Sequence, residues 1–382
     1  MKFKSKFLLS VVVCGSLFSA SANALETKAK NLILMDFETG QYLYNKDADK
    51  MIPPASMSKL MTVYMIFSKL GDGSLSLDDT FTVSENAWRK GGAASGGSTM
   101  FLKIGDKVRA EDILKGIIIQ SGNDACIVAA ENLAGTEEDF AEELNKKAQE
   151  IGLTNSYFAN ATGLPHPDHR MSVEDLAKLS RRIISEYPQF YHLFSQKEFT
   201  YQNIRQGNRN PLLYSMPNAD GLKTGHTEEA GYCLAASAKK GERRLIGVMT
   251  GLSSMKERSE EAEKIMGWGF REFDNYTLLK KDVKVADIPV WYGVETTVPM
   301  LISQDVVRTL KRNKSDKVKL VAVYDKPVKA PVKAGQQLGV VKVKLPGQED
   351  LEVPLIASKD VAKVGLFGKI RKNIGYLLLG QE

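Results

Sequence analysis

At 382 residues the chain is too long for one ordinary hydrophobic core and has room for two or three domains. Hydrophobic residues make up 43% and charged residues 26%, which argues against a disordered chain. The net charge of +6 is modest, and no basic run is interleaved with aromatics; this speaks against nucleic acid as a partner and leaves weak attraction to an anionic membrane or wall.

The first 24 residues read as a signal peptide. Lys2, Lys4 and Lys6 give a positive start, Phe7 to Phe18 is apolar but too short to span a bilayer, and Ala22-Asn23-Ala24 offers a small-x-small cleavage site. The same shortness argues against an uncleaved anchor. Cys14 follows the bulky Val13, which does not suit a lipoprotein. The exported chain then starts near Leu25 and keeps Cys126 and Cys233, both in apolar surroundings. Two such residues make no disulfide framework and are expected to be buried, inert thiols.

Leu32–Asp36 and Tyr42–Tyr44 flank Glu38-Thr39-Gly40 as a β-hairpin. Pro53-Pro54 stops the chain before a helix expected over Met57–Leu70. Further helices are expected over Ala110–Gln120, Asp124–Leu133, Glu137–Ile151 and Val173–Ser185, the last capped by Ser172. A second hairpin joins Tyr232–Ala238 to Arg244–Thr250 through Lys239-Lys240-Gly241-Glu242, and Met255–Phe273 is again helical. Strands at both ends with helices between predict an α+β fold: one antiparallel sheet built from both ends of the segment and covered by an inserted helical cluster. This domain should occupy residues 25–276.

Beyond Tyr276, Val and Lys alternate in Lys281–Val285, Val318–Val323 and Val341–Leu345, which predicts a small all-β domain over 277–363. In the last stretch, 364–382, Phe367, Ile370, Ile374, Leu377 and Leu378 share one helical face, with Lys369, Arg371 and Lys372 elsewhere. It is too short and too charged to span a bilayer. A helix lying in a membrane surface is expected, in preference to a tail docked on the β-domain.

Three short motifs occur in order: Ser56-Met57-Ser58-Lys59, Ser121-Gly122-Asn123 and Lys223-Thr224-Gly225. Alone, the first is weak, because Ser237 to Lys240 repeats its spacing. Ser84 to Asn86 likewise repeats the second. Together they fit a serine nucleophile with a lysine base. Ser56 and Lys59 are three apart at a helix start, hence on one face and near unpaired backbone N–H groups that suit an oxyanion. Lys59 must be neutral to take the serine proton although a lysine ordinarily titrates near about 10.4. Burial beside a second cation such as Lys223 would depress it. Ser121, expected to open a helix, can relay a proton, and Asn123 can orient Lys59 or a substrate amide. Gly225 on an edge strand would let a substrate backbone approach, while Thr224 and Lys223 offer a hydroxyl and a charge to a carboxylate.

With these motifs the chain resembles the D-alanyl-D-alanine carboxypeptidases among the low-molecular-mass penicillin-binding proteins. Ile119 to Cys126, Gly221 to Thr227, the Arg209-Asn210 region, Lys256-Glu257-Arg258 and Trp268-Gly269-Phe270 extend the likeness, and the β-domain and tail match the subgroup most like penicillin-binding protein 5. The resemblance implies a β-lactamase/transpeptidase-like fold in which Ser56 forms an acyl-enzyme and Lys59 is its base. Ser121 and Asn123 would line the cleft, Lys223 would bind substrate, the N–H groups of Ser56 and His226 would form the oxyanion hole, and Thr224 with Arg258 would hold the terminal carboxylate. The Gly91–Gly97 stretch falls where the family has a loop over the site. The implied partners are peptidoglycan pentapeptides, β-lactams as covalent inhibitors, and a membrane surface. No cofactor or metal is implied.

Three other readings fit the sequence less well. A β-lactamase of the same fold would need a deacylating glutamate, but Glu142-Glu143-Leu144-Asn145 is out of register with the usual motif because Ala141 stands where the glutamate belongs. A non-catalytic wall-binding protein sits badly with three intact motifs. A metal peptidase built on His166, Asp168 and His169 meets a proline-rich turn, and neither His226 nor His192 makes a convincing triad base.

Overall fold

The computed structural model describes residues 25–370 and Asn373; the expected leader and most of the expected terminal helix lie outside them. Strand β1 (Asn31–Asp36) is buried at every position, because it lies inside a five-stranded sheet with both faces covered. The neighbours run β2 (Tyr42–Lys46), β1, β5 (Arg243–Leu252), β4 (Gly231–Lys240) and β3 (Ala219–Thr227), all antiparallel. Asn31 pairs with Thr250, so the two ends of this domain meet in mid-sheet as predicted. The β4–β5 turn is shorter than expected. Lys239 and Lys240 extend the strand and leave Gly241-Glu242 as the connection, with Gly241 at φ +60°.

Helix α5 (Met255–Glu272) covers one face, packing Ile265, Met266 and Trp268 against Leu34, Leu234 and Leu245. A Cβ on Gly269 would stand 2.7 Å from Leu34, so glycine sets the close approach of helix and sheet. The other face carries the inserted helices, chiefly α1 (Lys59–Gly71), α2 (Asn123–Ala134), α3 (Glu137–Glu150) and α4 (Val173–Glu186). Ser172 caps α4 by accepting from Asp175 N. The helix expected over Ala110–Gln120 is α-helical only to Lys115, then widens into a π turn over Gly116–Gln120. Such turns recur where a functional loop must be re-aimed.

The β-rich domain starts directly on leaving α5. A strand at Phe273–Leu279, running through the junction expected at 276/277, pairs with Val306–Lys311. A six-stranded sheet follows, with a core of Val, Ile and Leu. Of the expected strands, Lys281–Val285 is displaced to Lys284–Trp291. The other two appear at Lys319–Tyr324 and Gln337–Lys344.

One buried ion pair ties these parts. Asp36, fully buried, lies 2.9 Å from Arg243 Nε and accepts from Thr39 N at 3.1 Å and Asn275 Nδ2 at 3.1 Å. Arg243 also donates to the carbonyls of Gly269 at 3.3 Å and Phe273 at 2.5 Å. Asp36→Ala should therefore lower stability by about 3 kcal/mol, because it leaves the largely buried Arg243 without its counter-charge and Thr39 N and Asn275 Nδ2 without their acceptor. Guanidinium chloride unfolding of the two proteins would measure it.

Candidate active site

The nucleophile turn is built under backbone strain. After Pro53-Pro54, Ala55 adopts φ +49°, a conformation L residues avoid, and a 3-10 turn over Ala55–Ser58 leads into α1 at Lys59. This places Ser56 at the cleft, half-buried, and Lys59 beneath it without solvent contact. Lys59 Nζ lies 3.0 Å from Ser56 Oγ, 2.8 Å from Asn123 Oδ1 and 2.5 Å from the Thr162 carbonyl.

The hydrogen count of an amine gives this triangle its meaning. A carbonyl and an amide oxygen can only accept. When Lys59 is neutral, its two N–H bonds are taken by Asn123 and Thr162, and the remaining lone pair faces the Ser56 hydroxyl. Burial lowers the Lys59 pKa from its ordinary value, and the Arg209 charge lowers it further. Cys126, Asp124 and Glu137 oppose this. The Cys126 thiol is itself pushed up to about 12 by burial, so it stays uncharged below that pH and withholds its opposing charge. The cation that depresses Lys59 is Arg209 and not the expected Lys223, which is itself driven well down, by burial first and then by the Lys59 charge.

Each member is held by its own element. Asn123 opens α2 and donates its N–H to Ser98 O at 2.7 Å. Next to it, the buried Asp124 accepts from Thr99 Oγ1 at 2.7 Å, Met100 N at 2.8 Å and Leu102 N at 3.2 Å, fixing the loop that follows the glycine-rich stretch. Ser121 does not open a helix as predicted; it ends the π turn at φ +65°, and α2 begins two residues later. The tight exit from that turn leaves no helical position for it. Its hydroxyl is buried and, among the described residues, uncommitted.

Strand β3 carries Lys223, Thr224, Gly225 and His226 on the sheet edge. Gly225 also packs on the turn that carries Ser56: a Cβ there would stand 3.1 Å from both Ala55 Cβ and Pro54 O, so the missing side chain makes room for that turn. Lys223 Nζ reaches the Thr224 carbonyl at 3.2 Å. His226 stacks on Tyr232 with ring centroids 4.0 Å apart, and Arg258 from α5 lies over the same tyrosine at 5.8 Å. Arg258 is buried, not an ordinary exposed helix charge, and donates to Arg209 O at 3.4 Å. Burial lowers the pKa of both arginines, and among the described residues neither pairs with a carboxylate.

The resulting cleft encloses about 420 Å³. Ser56, Asn123, Arg209 and His226 line it, with Gly96–Ser98 on one rim and Gly163-Leu164 on the other. Its surplus positive charge suits an anionic ligand end. The other candidates fall elsewhere. Ser237, first of the repeated Ser-x-x-Lys spacing, is buried in β4 and bonded to Arg244 at 2.6 Å; Ser84 caps a short helix. His166 and Asp168 form an exposed turn while His169 is buried against Ser58 at 2.6 Å. Among the described residues no group of three His, Cys, Asp or Glu is arranged to hold a metal.

Sequence reasoning missed Thr162, which acts through its carbonyl and so leaves no side-chain signature. It also assigned no role to Arg209, whose approach to Ser98 at 2.6 Å depends on folding across 111 positions.

Residues 18–254 match the family model described as D-alanyl-D-alanine carboxypeptidase, and residues 273–363 that of the penicillin-binding protein 5 C-terminal domain. The chain is 39% identical to the D-alanyl-D-alanine carboxypeptidase DacC of Escherichia coli, over 92% of this chain and 88% of that one. It is similar to the crystal structure of penicillin-binding protein 5 from Haemophilus influenzae, with 34% identity, a TM-score of 0.78, and coverage of 89% of this chain and 99% of that one. A looser match is penicillin-binding protein D2 from Listeria monocytogenes in its ampicillin-bound form, with 29% identity, a TM-score of 0.56, and coverage of 65% of this chain and 99% of that one.

With the Lys59 amine 3.0 Å from Ser56 Oγ and its pKa lowered, Ser56 reactivity toward a small serine-directed acylating reagent should rise with pH through a limb lying below the ordinary lysine value of 10.5. Intact-mass kinetics at a series of pH values would check this; a limb at or above that value would contradict the assignment.

Proposed function

The chain belongs to the D-alanyl-D-alanine carboxypeptidase family, and from that premise we propose that it removes the terminal D-alanine from peptidoglycan stem peptides through an acyl-enzyme on Ser56. The observation that carries this is the Lys59 amine held between two pure acceptors and the Ser56 hydroxyl. In this layout residues 25–272 carry the chemistry, 273–363 form the β-rich domain and 364–382 attach the enzyme to a membrane surface.

The substrate carboxylate lies toward Lys223, the Thr224 hydroxyl and Arg258; among the described residues neither Lys223 nor Arg258 pairs with a carboxylate. The scissile carbonyl oxygen is held by the N–H groups of Ser56 and His226. Ser56 Oγ attacks the carbonyl carbon as Lys59 accepts its proton. The C–N bond then breaks, and the departing D-alanine amine takes a proton from Lys59 by way of the uncommitted Ser121 hydroxyl. Water, deprotonated by the same base, cleaves the ester and returns Ser56. A β-lactam presents an equivalent carboxylate and acyl carbon, and acylates Ser56 in the same way.

The β-lactamase alternative gains nothing from Glu142-Glu143-Leu144-Asn145. Asn145 is committed to structure, bonding Phe158 O at 2.7 Å and Phe158 N at 2.8 Å. Treatment with benzylpenicillin should leave one long-lived adduct, mapped to Ser56 by peptide mass spectrometry. Ser56→Ala should abolish both that adduct and D-alanine release. Rapid nitrocefin turnover would favour the lactamase, and D-alanine release by the variant would refute the assignment.

Export and peripheral membrane attachment complete the proposal. Among the described residues no helix is long and apolar enough to cross a membrane. The helical start of the last segment exposes Leu366, Phe367 and Ile370. Apolar exposure beside Lys363 and Lys369 suits an anionic interface. Deleting residues 364–382 should abolish co-sedimentation with phosphatidylglycerol-containing vesicles and leave peptidase activity on a soluble peptide unchanged; persistent sedimentation would place the contact elsewhere.

A further inference from the structure

The carbonyl that fixes Lys59 belongs to a loop, Phe158–His169, and the loop's closing residue folds back beneath the catalytic lysine. His169 is buried, with Nε2 2.6 Å from Ser58 Oγ and Nδ1 3.3 Å from Ala159 N. Ala159 N can only donate, so Nδ1 is the acceptor and Nε2 carries the hydrogen, donated to Ser58. The imidazole thus joins the base of the loop to the residue preceding Lys59. Phe158 packs edge-on against the ring at 5.6 Å.

The rest of the loop is organised to deliver one carbonyl. Asn160 Oδ1 accepts from Thr162 N at 3.1 Å and Gly163 N at 2.8 Å, turning the chain over. Glu137 accepts from Ala161 N at 3.1 Å, and Thr62 donates to Ala161 O at 2.7 Å. Gly163, at φ +76°, presses so closely on the nucleophile turn that a Cβ would stand 2.1 Å from Ala55 O and 3.0 Å from Ser58 Cβ. Loop and turn therefore meet face to face, and the buried link between them through side chains on this side is Ser58–His169.

We propose that His169 is a positioning residue for acylation: wedged between Ser58 and Ala159, its imidazole holds the Thr162 carbonyl against Lys59 and keeps water from that amine. The inference rests on Lys59 as the base. Burial and the neighbouring charges of His166, Lys59 and Arg170 hold His169 down to about 4, so it remains the neutral tautomer throughout the working range. Around Lys59 the ionisable neighbours are Asp124 and Cys126 on α2, Glu137 on α3, Arg209 and, on β3, Lys223. None of these is altered by replacing His169, so a change in the lysine's titration reports the loop.

Loosening the loop admits water, relieves the burial that depresses Lys59, and raises its pKa. His169→Ala should slow benzylpenicillin acylation about tenfold at neutral pH and move the acidic limb of its pH–rate profile upward by about half a unit or more. His169→Gln, whose amide can both donate to Ser58 and accept from Ala159, should restore rate and limb together. A limb unmoved in His169→Ala, or lost rate without rescue by His169→Gln, overturns the proposal. Should His169→Ala fail to fold, Ser58→Ala cuts the same link, and an unmoved limb there is equally fatal. Lys59→Ala runs alongside: retained acylation would refute the lysine base itself, whereas a dead Lys59→Ala with unmoved His169 and Ser58 profiles refutes only the role of His169.

Discussion

An amine sealed from water settles its protonation state by the atoms it touches, and the rest of this site follows from how Lys59 is sealed. The side chain has no solvent exposure, yet its nitrogen meets three oxygens from three segments far apart in sequence. Two of them can only accept. A protonated lysine would satisfy all three by donation but would leave a full charge in a dry place with Arg209 nearby. A neutral one satisfies the two obligate acceptors and turns its lone pair on Ser56. Burial favours the second state, and that state is the one able to remove a serine proton.

The fold brings those three oxygens together by a division of labour. The sheet, closed in its middle by β1 against β5, gives β3 a fixed edge against which the nucleophile turn is packed. Asn123 comes from the inserted helices, placed by the abrupt exit from the π turn. Thr162 comes from a loop pinned at several points by side chains. Gly163 and Gly225 are the sites where these parts touch most closely, and both lack a side chain for that reason. A methyl group at either would push the nucleophile turn away from its base.

Sequence reasoning recovered much of this because the relevant signals are local. Hydrophobic runs gave β1 and α2, the Ser172 cap gave the start of α4, and strands at both ends of the domain gave the single antiparallel sheet. The ordered motifs identified Ser56, Lys59, Asn123 and Lys223. What escaped depends on contacts between distant segments. Thr162 contributes a backbone atom, Arg209 acts across the cleft, and the packing role of Gly225 appears only once Ala55 is packed on it. Ser121 was misplaced because its left-handed backbone is a consequence of the π turn, which no periodicity in Gly116–Gln120 announces.

A cleft of this kind is a costly arrangement. Ala55 and Ser121 hold backbone conformations that side-chain-bearing residues avoid, the Ser121 hydroxyl and Arg258 Nε are buried without partners among the described residues, and Lys223, Arg209 and Arg258 share a region with no acidic partner. Each feature costs stability. Each also marks an interaction that a ligand with a terminal carboxylate and a transferable proton would complete. A protein that merely bound the wall would have no reason to lower the Lys59 pKa, whereas a serine catalyst with a lysine base needs that shift. The strain at the Ser56 turn and the positive charge of the cleft wall are thus the two features that the proposed reaction uses together, the charge for the anionic end of a substrate and the turn for presenting Ser56.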